Sequence, residues 1–274
     1  MKILELNNKP IAEFRYLNAG RKANAFTVDR LPVFHGTVDD LPASLDAIMV
    51  TADLQGLETP QTSLGQPPRL MGQILPTQMT PVFAELGIDD SNRIGAILAG
   101  DFFTYQDLHG RGGTGDVSKV WKAFSREFKW VVGVAGNHDT FGKNKSTPPR
   151  STMSHVHFLD GERLNIDGIQ IAGISGVIGN PAKNFRRTDE DILETVELLT
   201  STTTDIALMH EGPDGNRSGY RGIEEVRKIV EKTRPSLVIR GHKHWPEPLV
   251  ELSSGVQILN VEATVVVLTR TSDK

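Results

Sequence analysis

The sequence contains no cysteine. That removes disulfide frameworks, thiolate metal sites and cysteine nucleophiles together, so any metal must be held by oxygen and imidazole nitrogen. An excess of positive charge is also missing, since 30 Lys and Arg face 34 Asp and Glu for a formal net charge of −4. No general basic field is therefore present to draw in nucleic acid or an anionic membrane surface. Long apolar runs are absent as well. The start, Met1-Lys2-Ile3-Leu4-Glu5, is interrupted by Glu5 and by Asn7-Asn8-Lys9-Pro10 before the apolar core of a signal peptide can form, and no later run is long enough to span a bilayer. The expectation is a soluble, cytoplasmic protein with no membrane partner.

What is present is an ordinary globular composition, 274 residues with 38% hydrophobic and 23% charged, enough for one large core. The simplest division is a single domain over 1–274, with a β-rich N-terminal extension at 1–45 and a larger α/β core at 46–270. In the extension, Ile3–Leu6 and Glu13–Leu17 flank an Asn-Asn-Lys-Pro turn and Val33-Phe34 follows Pro32, a pattern of edge or hairpin strands. From Ala47 the pattern changes to short buried strands that end in polar residues. Ile48–Val50 runs up to Asp53, Ile94–Leu98 to Gly100-Asp101, Val131–Val134 to Gly136-Asn137-His138-Asp139, Ile206–Met209 to His210-Glu211, and Leu237–Ile239 to Gly241-His242-Lys243-His244.

Between these strands, apolar residues recur at helical spacing: Val117, Val120, Trp121, Phe124 and Phe128 behind a candidate N-cap at Asp116, then Ile192, Val196 and Leu199 behind Thr188, then Ile223, Val226 and Val230. Glu162–Ile166 and Ile169–Ile174 read as a hairpin around Asp167-Gly168, and Val256–Leu259 with Val265–Leu268 as a closing strand pair. The segment from Gly56 to Asn92 carries Pro60, Pro67, Pro68, Pro76 and Pro81; only Pro81–Leu86 has a helical pattern, so the remainder is expected to be loop over the site.

In open α/β sheets the strand ends collect functional groups, because loops converge there while the sheet holds them rigid. The convergent set is Asp53, Asp101, Asn137, His138, His210, His242 and His244. Oxygen and imidazole donors without sulfur suit a pair of Mn, Fe, Zn or similar ions, and a carboxylate such as Asp101 can offer one oxygen to each. Taken singly, each motif has a plain structural reading: His210 as a core histidine, Gly-His-Lys-His as an exposed turn, Asn137 and Asp139 as turn caps. Their order and their strand context favour the joint reading. Ser154-His155-Val156-His157 is also His-x-His, but no buried strand precedes it, and alternating strand exposure explains it.

Gly100-Asp101, Gly136-Asn137-His138-Asp139, His210 and Gly241-His242-Lys243-His244, with Asp53 in the place of a first aspartate, resemble the motif series of the calcineurin-like metallophosphoesterases over roughly Ile48 to Val267. The resemblance implies a four-layer αββα sandwich with a dinuclear site at one edge. It further implies that Asp53 and His244 bind the first metal, that Asn137, His210 and His242 bind the second, and that Asp101 bridges them. His138, no ligand in that family, would face the leaving group. The implied reaction is hydrolysis of a phosphoester by a metal-bridging hydroxide, on a small molecule or a phosphoprotein.

Two positions depart from the family pattern. Gln55 stands where an imidazole is usual, either a weak amide ligand to the first metal or a side chain turned away; Thr104 stands where Asp, Asn or Tyr is usual, with Tyr105 one place later. Arg111, in His109-Gly110-Arg111-Gly112-Gly113, and Arg217, in the loop after His210, are weaker candidates for holding a phosphate. Two other readings stay open. One is a scaffold of the same fold that binds without turnover, which Gln55 and Thr104 favour; the other is a nuclease acting on short oligonucleotides, which the acidic balance disfavours.

Overall fold

The computed structural model describes residues 1–20, 25–59, 68–142 and 154–271. Two mixed sheets lie face to face, and helices cover the outer face of each. The first sheet runs, edge to edge, through Val156–Phe158, Trp130–Gly133, Ile94–Leu98, Ala47–Ala52, Thr264–Arg270, Phe26–Val38, Ala12–Ala19 and Leu57–Glu58, with Ile3–Leu6 pairing Phe26–Val38 off that path. The second runs Glu162–Ile166, Ile169–Ile174, Ile206–Met209, Leu237–Arg240, Gln257–Asn260 and Leu249–Glu251.

Strand alternation builds three cores from these residues. Ile48, Val50, Ile97, Val132 and Val266 of the first sheet meet Ile171, Ile206, Leu208, Ile239 and Leu259 of the second between the sheets. The odd-facing set, Ala47, Met49, Ala96, Leu98, Val265 and Val267, packs outward on the helices Met71–Gln78, Thr80–Glu85 and Ser118–Glu127. Ala207, Met209, Val238 and Ile258 face the helices Asp189–Thr200 and Glu224–Thr233 on the other side. A strand buried on both faces needs apolar residues at every position, which is why the sequence shows continuous short runs there. The result is the αββα sandwich expected from the motif series. Among the described residues no helix is long and apolar enough to cross a membrane.

Helix starts follow local chemistry. Thr188 caps Asp189–Thr200, its Oγ1 accepting from Asp191 N at 3.2 Å, whereas the cap of Ser118–Glu127 is Val117 rather than the expected Asp116, whose Oδ1 accepts from Ser118 N at 2.9 Å. The Asp167-Gly168 hairpin forms in the expected register, with Ile166 opposite Ile169.

Two further expectations are corrected. The stretches Val256–Leu259 and Val265–Leu268 do not pair with each other: Gln257–Asn260 lies in the second sheet beside Leu237–Arg240, while Thr264–Arg270 lies in the first between Ala47–Ala52 and Phe26–Val38. Both runs are apolar because both are central strands, and nothing local says which sheet each joins. The proline-bearing segment also contains the helix Met71–Gln78, which encloses Pro76; Leu70, Met71, Ile74 and Leu75 are buried in the outer core rather than spread over the site. That burial outweighs the one backbone bond that Pro76 removes near the helix end. Pro60 and Pro67 of this segment lie outside the described residues, as does the Thr-Pro-Pro-Arg stretch before Ser154.

Candidate metal centre

Strands Ala47–Ala52, Ile94–Leu98 and Trp130–Gly133 run parallel in one sheet, and Ile206–Met209 and Leu237–Arg240 run parallel in the other. Their carboxyl ends therefore lie along one edge of the sandwich. Hydrogen bonds tie the two sheets there: His210 Nδ1 lies 2.7 Å from Ala99 O, Gly176 N donates to Ala135 O at 2.8 Å, and Ala135 N donates to Ser175 Oγ at 2.9 Å.

Three of the strand ends turn in the left-handed region with non-glycine residues: Asp53 at φ 55°, Asp101 at φ 60° and His242 at φ 70°. Such a conformation costs on the order of 1–2 kcal/mol for an L residue and persists only where its surroundings impose it. The surroundings are visible. Asp53 N donates to Gly100 O at 2.8 Å, His242 N donates to Asp53 Oδ2 at 2.9 Å, and His138 N donates to Asp101 Oδ1 at 2.9 Å. The flanking glycines are explained by the same close approach: a Cβ on Gly136 would stand 2.0 Å from Asp101 Oδ1, and one on Gly241 would stand 2.4 Å from Asp53 Oδ2.

Asp101, His210 and His242 each bring one ligand atom into a group whose members lie within 4.8 Å of one another. Asp101 and His210 are buried, and their rings and carboxylates face inward: His210 Nε2 is 3.2 Å from Asp101 Oδ2, and the His210 and His242 rings are 5.0 Å apart. The Ala99 carbonyl can only accept, so His210 Nδ1 carries a hydrogen and Nε2 carries either a lone pair or a second proton. Asn137, between Gly136 and His138, is buried, and among the described residues neither its Oδ1 nor His210 Nε2 has a hydrogen-bond partner of good geometry.

Electrostatics express the same need for a cation. Burial alone would lower the His210 pKa, but the charges of Asp101 and Asp53 override it and push it up to about 10. Asp101 stays below the usual carboxylate range despite its burial, because His210 and His138 stand beside it. Burial raises Asp53 well above its ordinary value, with Asp101 adding to the effect and His210 opposing it. His242 is pushed down to about 3 by burial and by the positive charge at His210. Two imidazoles, a carboxylate and an amide oxygen that lacks a partner among the described residues are the donor set that a divalent ion such as Mn, Fe or Zn would satisfy.

The remaining candidates fall in different places. His244 does not reach this group: its side chain is 83% exposed, with Nδ1 3.1 Å from Glu262 Oε2. Gln55 is half-buried and lies against the Gly112 backbone, its Oε1 3.0 Å from where a Cβ on Gly112 would stand. His138 is half-buried, with Nδ1 3.4 Å from Thr114 Oγ1, so the loop ending at Thr114 borders it. Arg111 is exposed and paired with Asp29 Oδ2 at 3.1 Å, and Arg217 reaches Glu247 at 3.3 Å while stacking over Tyr220 at 4.0 Å. Thr104 is buried, donating to Gly112 O at 3.3 Å, and Tyr105 stacks on His109 at 4.0 Å. His155 bonds Ser125 O at 2.8 Å beside the edge strand that holds His157, and His155, Val156 and His157 are all half-buried rather than alternating in exposure.

Sequence reasoning passed over Asp139. Its carboxylate is buried and accepts three backbone amides, from Asp101 and Phe102 at 2.8 Å and from Gly136 at 2.9 Å, which locks the Asp101 turn to the Asn137 turn. Burial, then the neighbouring Asp101 charge, pushes its pKa up to about 7. Its position after Gly-Asn-His was the only signal. Asp139→Ala strands three buried donors, each worth about 1–3 kcal/mol, so a loss of about 3 kcal/mol or more is expected in denaturant unfolding of the metal-free chain.

Arg240 was also passed over. It is fully buried, donates to the carbonyls of Pro213 and Gly241 at 3.2 and 2.6 Å, and lies 5.1 Å over the Trp245 ring, so it braces the loops that carry His210 and His242.

A profile of the calcineurin-like phosphoesterase family matches residues 48–246. Among solved structures, TT1561 of Thermus thermophilus aligns with a TM-score of 0.45 and 17% identity, over 82% of this chain and 88% of that one. The phosphopantetheinyl hydrolase PptH from Mycobacterium tuberculosis aligns with a TM-score of 0.40 and 13% identity, over 79% and 89%. The sulfate thiohydrolase SoxB of Thermus thermophilus, in complex with glycerol, gives 0.42 and 12%, over 81% of this chain and 53% of that one. No curated protein sequence matches the chain.

Proposed function

We propose, on the premise that the chain belongs to the calcineurin-like phosphoesterase family and is a metal-dependent phosphoester hydrolase, that Asp101, Asn137, His210 and His242 hold its tightly bound divalent ion and that His138 acts at the leaving group. The observation that carries this reading is the orientation of His210. With Nδ1 committed to the Ala99 carbonyl, its other nitrogen faces the Asp101 carboxylate at 3.2 Å across a space that also receives His242.

A second, weaker ion belongs beside Asp53, with His244 and Gln55 as its remaining candidates. His244 would have to leave Glu262 to reach it, and Gln55 offers a neutral amide where imidazole would bind late first-row ions more strongly. Bound divalent ions supply water activation and neutralise charge growing on the phosphoryl group. The chain's own residues do the rest. Asp53 and Asp101, fixed by backbone donors from opposite sheets, hold the ligand geometry. His138, whose backbone amide is tied to Asp101, presents its ring to the site edge and passes a proton to the leaving oxygen.

The substrate is a phosphoester of a small molecule or a phosphoprotein. Arg111 and Arg217 contribute to its phosphate only by exchanging their present carboxylate partners, Asp29 and Glu247. Turnover of an aryl phosphate separates this reading from a scaffold that binds without reaction. Exhaustive chelation is expected to abolish turnover and Mn to restore it; undiminished turnover by the metal-free chain, or none with Mn, would overturn the proposal.

A further inference from the structure

We infer that Glu211 is an additional ligand to the ion held by Asp101, His210 and His242, an inference that rests on the metal-centre reading above. The residue follows His210 in the chain, and its side chain is only 14% exposed. One carboxylate oxygen is fixed, since Ile178 N donates to Oε2 at 2.8 Å, and that bond aims Oε1 at His242 Nε2, 3.6 Å away. Among the described residues no hydrogen-bond donor is satisfied by Oε1.

Ligand spacing supports the assignment. Metal–ligand bonds of about 2.0–2.2 Å at angles between octahedral and tetrahedral place neighbouring donor atoms about 2.9–3.5 Å apart. Asp101 Oδ2 and His210 Nε2, at 3.2 Å, fall within that range, and Glu211 Oε1 and His242 Nε2 stand at its edge. Asp139 gives both its oxygens to backbone amides, while Glu262 and Asp214 face His244 and Arg227. Glu211 is held through Oε2 by Ile178 N and turns Oε1 toward His242.

The chemical consequence is a harder and more anionic site. Two carboxylates balance the charge of a dication, where Asp101 alone would leave a net positive charge among neutral imidazoles and an amide. An added hard oxygen donor favours Mn relative to Zn.

The test is calorimetric titration of the chelated full chain with Mn and, separately, with Zn, for the native protein and Glu211→Gln. The amide retains an oxygen for Ile178 N and removes the charge. Mn affinity is expected to fall about tenfold or more, the scale on which even outer partners of a metal act, and Zn affinity to fall less. Unchanged Mn affinity in a folded Glu211→Gln chain would overturn the inference and leave the metal-centre reading intact. A native chain that takes up neither ion would overturn the metal centre itself. Where Glu211→Gln fails to fold, Glu211→Asp carries the test: one methylene shorter, it cannot serve both Ile178 N and the ion, and native Mn affinity in that variant would equally overturn the role.

Discussion

Asp101→Asn is expected to lower affinity for the tight divalent ion by about 100-fold or more and to reduce phosphoester hydrolysis to the level of the chelated chain. Outer partners of a metal already contribute about 10- to 100-fold, and Asp101 stands closer than that. Its Oδ2 is 3.2 Å from His210 Nε2, and its Oδ1 accepts the His138 amide. An asparagine is nearly isosteric and can retain one of these contacts, so the fold should survive while the charge is lost. That charge also sets the neighbours. Asp101 is the largest of the influences that raise His210 to about 10, and without it the buried His210 proton loses its main support. Metal content by mass spectrometry, beside circular dichroism to confirm folding, checks the expectation; a folded variant with native metal content would exclude Asp101 as a ligand.

His138→Ala should give a different signature. The ring lies at the rim, half-buried, with Thr114 Oγ1 as its near neighbour, and its backbone amide alone is tied to Asp101. Truncating the side chain leaves that amide in place, so metal content should remain native. The kcat should fall by about 10²–10⁴, the usual contribution of general acid–base catalysis. The loss should be smaller for aryl phosphates, whose leaving groups need little protonation, than for alkyl phosphates. Equal losses for both classes would count against proton donation by His138.

Much of the candidate site is readable in the sequence because each candidate ligand follows the end of a buried strand. Ile94–Leu98 and Ile206–Met209 announce themselves by unbroken apolar runs, and the polar residues that follow have nowhere to go but the sheet edge. The same runs say that the strands are buried on both faces, whereas the four-layer sandwich was implied by the resemblance of the motif series.

What could not be read depends on contacts between distant segments. Gln257–Asn260 and Thr264–Arg270 are neighbours in sequence and similar in composition, yet they belong to different sheets, and only the register with Leu237–Arg240 and Ala47–Ala52 decides this. The helix Met71–Gln78 was hidden by Pro76, whose local cost is outweighed by burial of Ile74 and Leu75. Asp139 looked like a turn cap beside His138, and its three amide bonds reach back to Asp101, Phe102 and Gly136. The contact of His244 with Glu262 was also unreadable, because Glu262 lies in a segment with no motif of its own.

A divalent ion is expected to enter the space between Asp101, His210 and His242 in place of a proton. In the metal-free chain His210, raised to about 10, is protonated at about pH 7.5, because that pH lies well below its pKa. Ligation needs the lone pair on Nε2, so binding must expel the proton. Calorimetric titration of the chelated protein with Mn at that pH, in two buffers of different ionisation enthalpy, measures this directly. The heats are predicted to differ by the amount that corresponds to release of about one proton for the first ion bound. Tight binding with heats independent of the buffer would contradict the claim and place the ion away from His210.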